Sequence, residues 1–397
     1  MESRPLAHST LAIPELLDQI VDFLSGSRVD LHSCALVSKS WVPCAQFHIF
    51  GKIILLPPND MKLLCRLRKT LEVSPHLAHF IRRLSVSLNV DLLESVAGMM
   101  LPRLQELRVR CTFPQYHYFG DTKTRFLVQS LLRIPGIRRV DLCGSFTSMS
   151  VIHAYFDNCA HIQVLGLMNA HVEHPGLDSQ DSKDLAEASN SDSPISALAV
   201  SKIQLSEFIF PAMECQALDA WIVGPHFPFG FHRLQRIHIA AERWRSFQSF
   251  LAPYLGSIEY LKLLEFCDHC GLDFSGLSKL KRLDVDLDQD WHLPDLLAVL
   301  GRLPPNNGLE TMGLLRYSVS AEDETIFKDF DATITALDVM HSLHRVEIDI
   351  DVLRPGLDLA TFMSYFPTLV SKDQLLVHVP FKPSPEIIDV SDSESED

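Results

Sequence analysis

The chain has 397 residues, 47% apolar and 21% charged, the composition of a globular protein long enough for one large core or two domains. Its net charge of −15 argues against general nucleic-acid binding by counterion release, and no apolar run approaches the ~20 residues of a membrane span. Nine scattered cysteines read as buried thiols of a reducing compartment, and Glu15, Asp18 and Asp22 interrupt any signal-peptide core, so cytoplasmic or nuclear residence is expected.

The first predicted element is a helix. At 100° per residue, Ile13, Leu16, Leu17, Ile20, Val21 and Leu24 share one face, and Glu15, Asp18, Gln19 and Asp22 share the other. Pro14 suits a first helical turn, where its missing N–H costs nothing, and Glu15 and Asp18 complement the positive end of the helix dipole. Gly26 marks the stop, and Asp30 is expected to cap the next helix. That second helix carries Leu31, Cys34, Ala35, Leu36 and Val37 and is apolar nearly all round, so it needs cover on more than one side. Pro43 prevents one continuous helix through Trp41.

Residues 10–50 resemble an F-box. Glu15-Leu16-Leu17, Ile20, Leu24, Leu36-Val37, Trp41 and Phe50 stand at that family's spacing. The family's usual Leu-Pro is replaced by Ala12-Ile13, with the proline at Pro14. The resemblance implies a Skp-type adaptor and a cullin as partners. It implies adaptor contacts from Pro14, Leu16, Leu17, Ile20, Leu24, Leu36, Val37 and Trp41.

From Phe50 onward a short pattern recurs: apolar, two variable, apolar, one variable, apolar. It runs through Phe50/Ile53/Leu55, Ile81/Leu84/Val86, Leu104/Leu107/Val109, Ile137/Val140/Leu142 and Ile162/Leu165/Leu167. It resumes at Leu234/Ile237/Ile239, Ile258/Leu261/Leu263, Leu280/Leu283/Val285, Leu309/Met312/Leu314 and Leu343/Val346/Ile348. Between residues 168 and 233 the register stays open, because Ile195/Leu198/Val200 and Leu205/Phe208/Phe210 both fit. Two apolar residues spaced by one share a strand face, and many successive units are 22 to 34 residues apart. Helical stretches are predicted between them, at 125–134, 151–158, 244–255, 293–303, 324–343 and 359–369. These units resemble irregular leucine-rich repeats. The expected fold is therefore α/β: a helical F-box at 10–50, then a leucine-rich-repeat-like solenoid over 51–380 with parallel strands on its concave side.

In such an array the residues between core positions face the open surface. Arg83, Arg108, Arg110 and Arg139 make the early repeats basic. His238, Tyr260 and Lys262 follow, and Asp284, Asp286, Glu347 and Asp349 make the late repeats acidic. A charged protein substrate is expected to bind across these residues, steered by the charge.

The alternating Asp284, Asp286, Asp288 and Asp290 lie ~6.8 Å apart along a strand face, too far to grip one calcium ion. Cys267-Asp268-His269-Cys270 is a single C-x-x-C without a second pair, so no metal and no other cofactor is expected. Residues 173–194 are rich in Ser, Asp and Asn and read as a mobile loop. Residues 381–397 read as a disordered acidic tail. Its Ile387, Ile388 and Val390, followed by acids and serines, resemble a SUMO-interacting motif, which implies SUMO as a partner bound by strand addition. Alanine at Ile388 and Val390 should then abolish SUMO capture, and unchanged capture would sink the idea.

No Ser/His/Asp order, metal cluster or phosphate loop stands out, so no catalysis is expected. The expected function is substrate recognition for an SCF-type ubiquitin ligase. The alternative is a protein-interaction scaffold on a leucine-rich-repeat solenoid.

Overall fold

The computed structural model describes residues 14–111, 122–146, 149–156, 159–172, 203–210, 216–224, 227–266, 272–287, 293–319, 323–353 and 357–379. Packing divides the chain into two compact units, Met1–Gln235 and Arg236–Asp397. Both are mixed α/β with parallel strands.

The first unit begins with three helices, α1 (Pro14–Phe23), α2 (Arg28–Val37) and α3 (Val42–Gly51). Val21, Leu31, Cys34, Ala45 and Ile49 form their shared core, and Leu24, Trp41, Cys44 and Phe50 pack against it. Ser27, not Asp30, caps α2: its side chain accepts the Asp30 N–H at 3.3 Å. Helix α3 starts after Trp41 with Pro43 in its first turn, as the proline requires. Burial first, then a hydrogen bond to Asp18, pushes the Cys44 thiol up to about 12, which keeps it protonated. Buried thiols were expected; Cys34 and Cys159 are buried, but Cys44, Cys111 and Cys143 are half-buried and Cys65 is exposed.

Strand β1 (Lys52–Leu55) begins at the residue after α3. Then follow α4 (Asp60–Val73), β2 (Arg83–Ser87), α5 (Val90–Ala97), β3 (Glu106–Arg110), α6 (Thr122–Leu132), β4 (Arg139–Phe146), α7 (Met149–Tyr155), β5 (Val164–Val172), β6 (Ile203–Gln204), β7 (Glu207–Phe210), α8 (Gln216–Val223) and β8 (Phe229–Gly230). The main sheet runs β1-β2-β3-β4-β5-β7, so spatial order follows chain order, and β6 pairs with β8 in a small separate sheet. The open register is resolved by β7: Leu205, Phe208 and Phe210 are buried, and Phe208 joins a ring cluster with Phe227 and Phe231. Ile195, Leu198 and Val200 lie outside the described residues.

The second unit contains β9 (Arg236–Ala240), α9 (Ala241–Leu251), β10 (Tyr260–Phe266), β11 (Arg282–Leu287), α10 (Leu293–Leu300), β12 (Thr311–Val319), α11 (Glu324–Ala336), β13 (Arg345–Leu353), α12 (Leu359–Met363), α13 (Pro367–Ser371) and β14 (Leu375–His378). Its parallel sheet runs β9-β10-β11-β12-β13-β14. The stretch expected to be one helix at 324–343 ends at Ala336, and 359–369 divides into two short helices.

In both units the repeat residues sit where the pattern places them. Leu84, Val86, Leu107, Val109, Val140 and Leu142 are buried in the first unit, and Ile237, Ile239, Leu261, Leu263, Val346 and Ile348 in the second. Equivalent residues stand side by side, with Leu84 opposite Leu107 and Leu107 opposite Val140. The apolar face packs against the helices, as α5 does on β2 and α9 on β9 and β10. On the opposite face Lys52, Arg83 and Asp349 are exposed, and Ser85, Asp141 and Asp284 are buried.

Candidate functional site

The helical module presents an apolar surface. Leu16, Ile20 and Phe23 recur at helical spacing along α1, and Phe23 is 90% exposed. On α2, Val29, Leu36 and Val37 are also exposed, Leu36 to 88%. The single apolar face expected of α1 is therefore two faces. Leu17, Val21 and Leu24 turn inward, and Leu16, Ile20 and Phe23 turn outward.

Of the residues assigned to adaptor contact, Leu16, Ile20, Leu36 and Val37 lie on this surface. Leu17 does not: it is buried. Leu24 and Trp41 are half-buried against the same core. Pro14 opens α1. Phe23 and Val29 were missed because Phe23 was left out of the six-residue face and Val29 precedes the apolar run that starts at Leu31. The start at Ala12-Ile13 lies outside the described residues.

A second feature lies on the open face of β1–β4, where a cavity of about 200 Å³ is lined by Lys52, Arg83, Ser85, Arg108, Arg110 and Arg139, with Glu106 and Asp141 among them. The strand register sets the layout. Lys52, Arg83, Glu106 and Arg139 form one row across the strands. Ile54, Ser85, Arg108 and Asp141 form the next, and Ser87, Arg110 and Cys143 the third.

Asp141 is buried. Arg108 grips it through Nε at 3.0 Å and Nη2 at 2.7 Å, and Arg139 Nε donates at 3.3 Å. Arg139 also reaches Glu207 at 3.5 Å across the intervening strand. Arg83 pairs with Glu106 at 3.2 Å in an exposed contact. Ser87, opposite Arg110, donates to Asp60 at 2.8 Å.

The corresponding face of the second unit is neutralised from within. Asp284 is buried, accepting the Tyr260 hydroxyl at 2.6 Å and Arg282 Nε at 3.0 Å. Burial first, then the bond to Asp284, raises the Tyr260 phenol above its ordinary range. Arg282 extends across the next strand to Glu347 at 2.7 Å, and Arg345 holds the other Glu347 oxygen at 2.8 Å. Asp286 is buried as well, whereas Asp349 is exposed and Lys262 half-buried.

Asp284 and Glu347, expected on an acidic surface, are thus held in an internal ion-pair network. An aspartate beside an arginine on a strand is charge-balanced before any partner arrives. The basic surface expected from Arg83, Arg108, Arg110 and Arg139 does converge, although Arg108 and Arg139 are committed to Asp141.

The two units share one local device. Asp141 lies against Gly166 of the next strand, and a Cβ there would stand 2.3 Å from its Oδ1. Asp284 lies against Gly313 in the same way, at 2.4 Å. A glycine notch is what lets each carboxylate lie down on its sheet. The signal was in the repeat: Arg139-Val140-Asp141 is followed one unit later by Leu165-Gly166-Leu167, and Arg282-Leu283-Asp284 by Met312-Gly313-Leu314.

No group of three or more His, Cys, Asp or Glu that could hold a metal ion occurs among the described residues. Asp288, Asp290 and the segment Cys267–Cys270 lie outside them, as do the stretch 173–194 and Ile387, Ile388 and Val390. No helix among the described residues is long and apolar enough to cross a membrane. Compared with known proteins, the chain matches no protein-family model and no curated protein.

Proposed function

We propose that the chain is the substrate-recognition subunit of an SCF-type ubiquitin ligase. In this reading α1–α3 are the F-box and dock on a Skp-type adaptor. The strands are rungs of a leucine-rich-repeat-like solenoid, and the open face of β1–β4 takes the protein substrate. The chain supplies no chemistry of its own. It brings a substrate to the ubiquitin-charged enzyme that the cullin recruits.

One observation carries the reading: the apolar stripe Leu16, Ile20 and Phe23 of α1, with Leu36 and Val37 of α2, left in water by a module whose core is already complete. Side chains of this kind are not needed to hold three helices together. Scattered surface leucines are ordinary, but a group on two adjacent helices marks an interaction surface. An adaptor that buried Leu36, 88% exposed, would gain about 1.5–3 kcal/mol, and burying the rest of Ile20, 39% exposed, would add about half as much.

The test is co-purification of adaptor and cullin with the intact chain, with a chain lacking 10–50, and with Ile20→Glu/Leu36→Glu. Both residues are exposed, so the double variant should keep its fold. Adaptor affinity is expected to fall about a hundredfold or more. Undiminished capture by the double variant, or none by the parent, would refute the assignment.

A further inference from the structure

The cavity on β1–β4 carries five cations, Lys52, Arg83, Arg108, Arg110 and Arg139, in a protein of net charge −15. Three carboxylates face them. Glu106 takes Arg83, Asp141 takes Arg108, and Glu207 with Asp141 takes Arg139. Lys52 and Arg110 are left over, and among the described residues neither has an ion-pair partner. The site is therefore short of two negative charges.

Two donors at the same place are unused. Ser85 is nine-tenths buried, yet its Oγ has no hydrogen-bond partner, and the buried Nε of Arg110 has none either. A serine hydroxyl and a guanidinium N–H left dry and unpaired cost free energy, so each calls for an acceptor. The register puts them together. Ser85 is on the middle strand of three, with Lys52 one strand to one side and two residues back, and Arg110 one strand to the other side and two residues on. Each Cα is then roughly 8 Å from that of Ser85, so the two long side chains can converge above its hydroxyl from opposite corners.

We infer that this cavity binds a phosphate monoester, presented as a phosphorylated serine or threonine of the captured protein. The phosphoprotein half of the statement rests on the receptor reading above; the anion site does not. A phosphate monoester carries about two negative charges at neutral pH and three terminal acceptor oxygens. The vacant partners are two cations, with a hydroxyl, a guanidinium N–H and an ammonium as donors. A carboxylate would leave one of those charges unmatched. Exposed Ile54 and the neighbouring Leu56 form an apolar wall for the flanking residues of such a ligand.

The test is calorimetric titration of the full chain with inorganic phosphate, and with short peptides randomised around a central phosphoserine, serine or glutamate. Phosphate should bind at millimolar concentration and the phosphoserine mixture more tightly, with no heat from the serine mixture and little from the glutamate one. Arg110→Gln should weaken phosphate binding about tenfold and Ser85→Ala several-fold, as expected for lost hydrogen bonds to a charged group. Lys372→Ala, at an exposed position of the other unit, should change nothing, and circular dichroism checks that each variant is folded.

Absence of phosphate binding by the parent chain would overturn the site, as would unchanged binding by both folded variants. Phosphate binding with no preference for phosphoserine over serine peptides would overturn the phosphoprotein half and assign the cavity to a small-molecule phosphate. Adaptor capture by the same proteins separates the two readings. Phosphopeptide binding without adaptor capture refutes the receptor assignment and leaves the site standing.

Discussion

Asp331→Ala will lower the stability of the second unit by about 3 kcal/mol or more, read as a lower urea midpoint at unchanged slope. Asp331 sits within α11 and is 1% exposed. Its two oxygens accept the Thr368 and Leu369 N–H groups, each at 2.9 Å. Those are first-turn donors of α13, which no helical carbonyl can satisfy, and the residue in the cap position, Phe366, offers no side-chain acceptor. Helix α11 therefore caps a helix far along the chain, inside a wall of rings formed by Phe327, Phe362 and Phe366. Removing the carboxylate strands two donors where water has little access, at about 1–3 kcal/mol each. Asp331→Asn keeps one acceptor but turns an NH₂ group toward the second donor, so an intermediate loss is expected. The exposed neighbour Asp329→Ala should stay within about 0.5 kcal/mol of the parent. An Asp331→Ala midpoint that matches this control would show that water caps α13 equally well.

Gly313→Ala is the second large effect. Its new methyl would meet Asp284 Oδ1 at 2.4 Å and Cγ at 3.1 Å. The carboxylate cannot swing aside without releasing Tyr260 and Arg282, its partners at 2.6 and 3.0 Å. Overpacking of this kind costs about 1–3 kcal/mol. The decisive measurement is the cycle with Asp284→Ala, which clears the space the methyl needs. The double variant should be more stable than the sum of the single losses implies, by about 0.5–3 kcal/mol. Strict additivity would mean that methyl and carboxylate never meet.

Much of the fold was legible because the repeat is a statement about burial. Leu107 and Val109, or Leu261 and Leu263, alternate with polar residues, and a strand with one covered face needs that alternation. Strand β14 escaped notice because Lys372 stands where the repeat has an apolar residue and the strand itself is only half-buried. The small β6–β8 sheet was too short to leave a periodic trace.

The site was legible only in part, for two reasons. Residues on the open face were readable as charged, but whether a charge is offered or spent depends on neighbours on other strands, 24 residues away for Asp284 and Tyr260 and 65 for Arg282 and Glu347. Ser85 looks like any serine between two apolar residues. Only the cross-strand register, which places it midway between Lys52 and Arg110, makes it a candidate ligand. In α1 the opposite problem arose. Six apolar residues shared a face by period; Ile13 lies outside the described residues, and packing divided the other five into a core side and a water side.

The aspartate lying in a glycine notch also bears on how the strands find their alignment. Alternating apolar residues forbid a slip by one position, which would turn the core outward, but they tolerate a slip by two. A two-residue slip would bring Asp141 opposite Val164 or Met168, and Asp284 opposite Thr311 or Leu315, where a side chain fills the space that glycine leaves empty. Each unit thus has a peg and a hole that reject the misalignment its hydrophobic pattern permits. In parallel sheets whose strands are joined by long crossovers, with no tight hairpin to set the pairing, that single contact serves as the alignment mark.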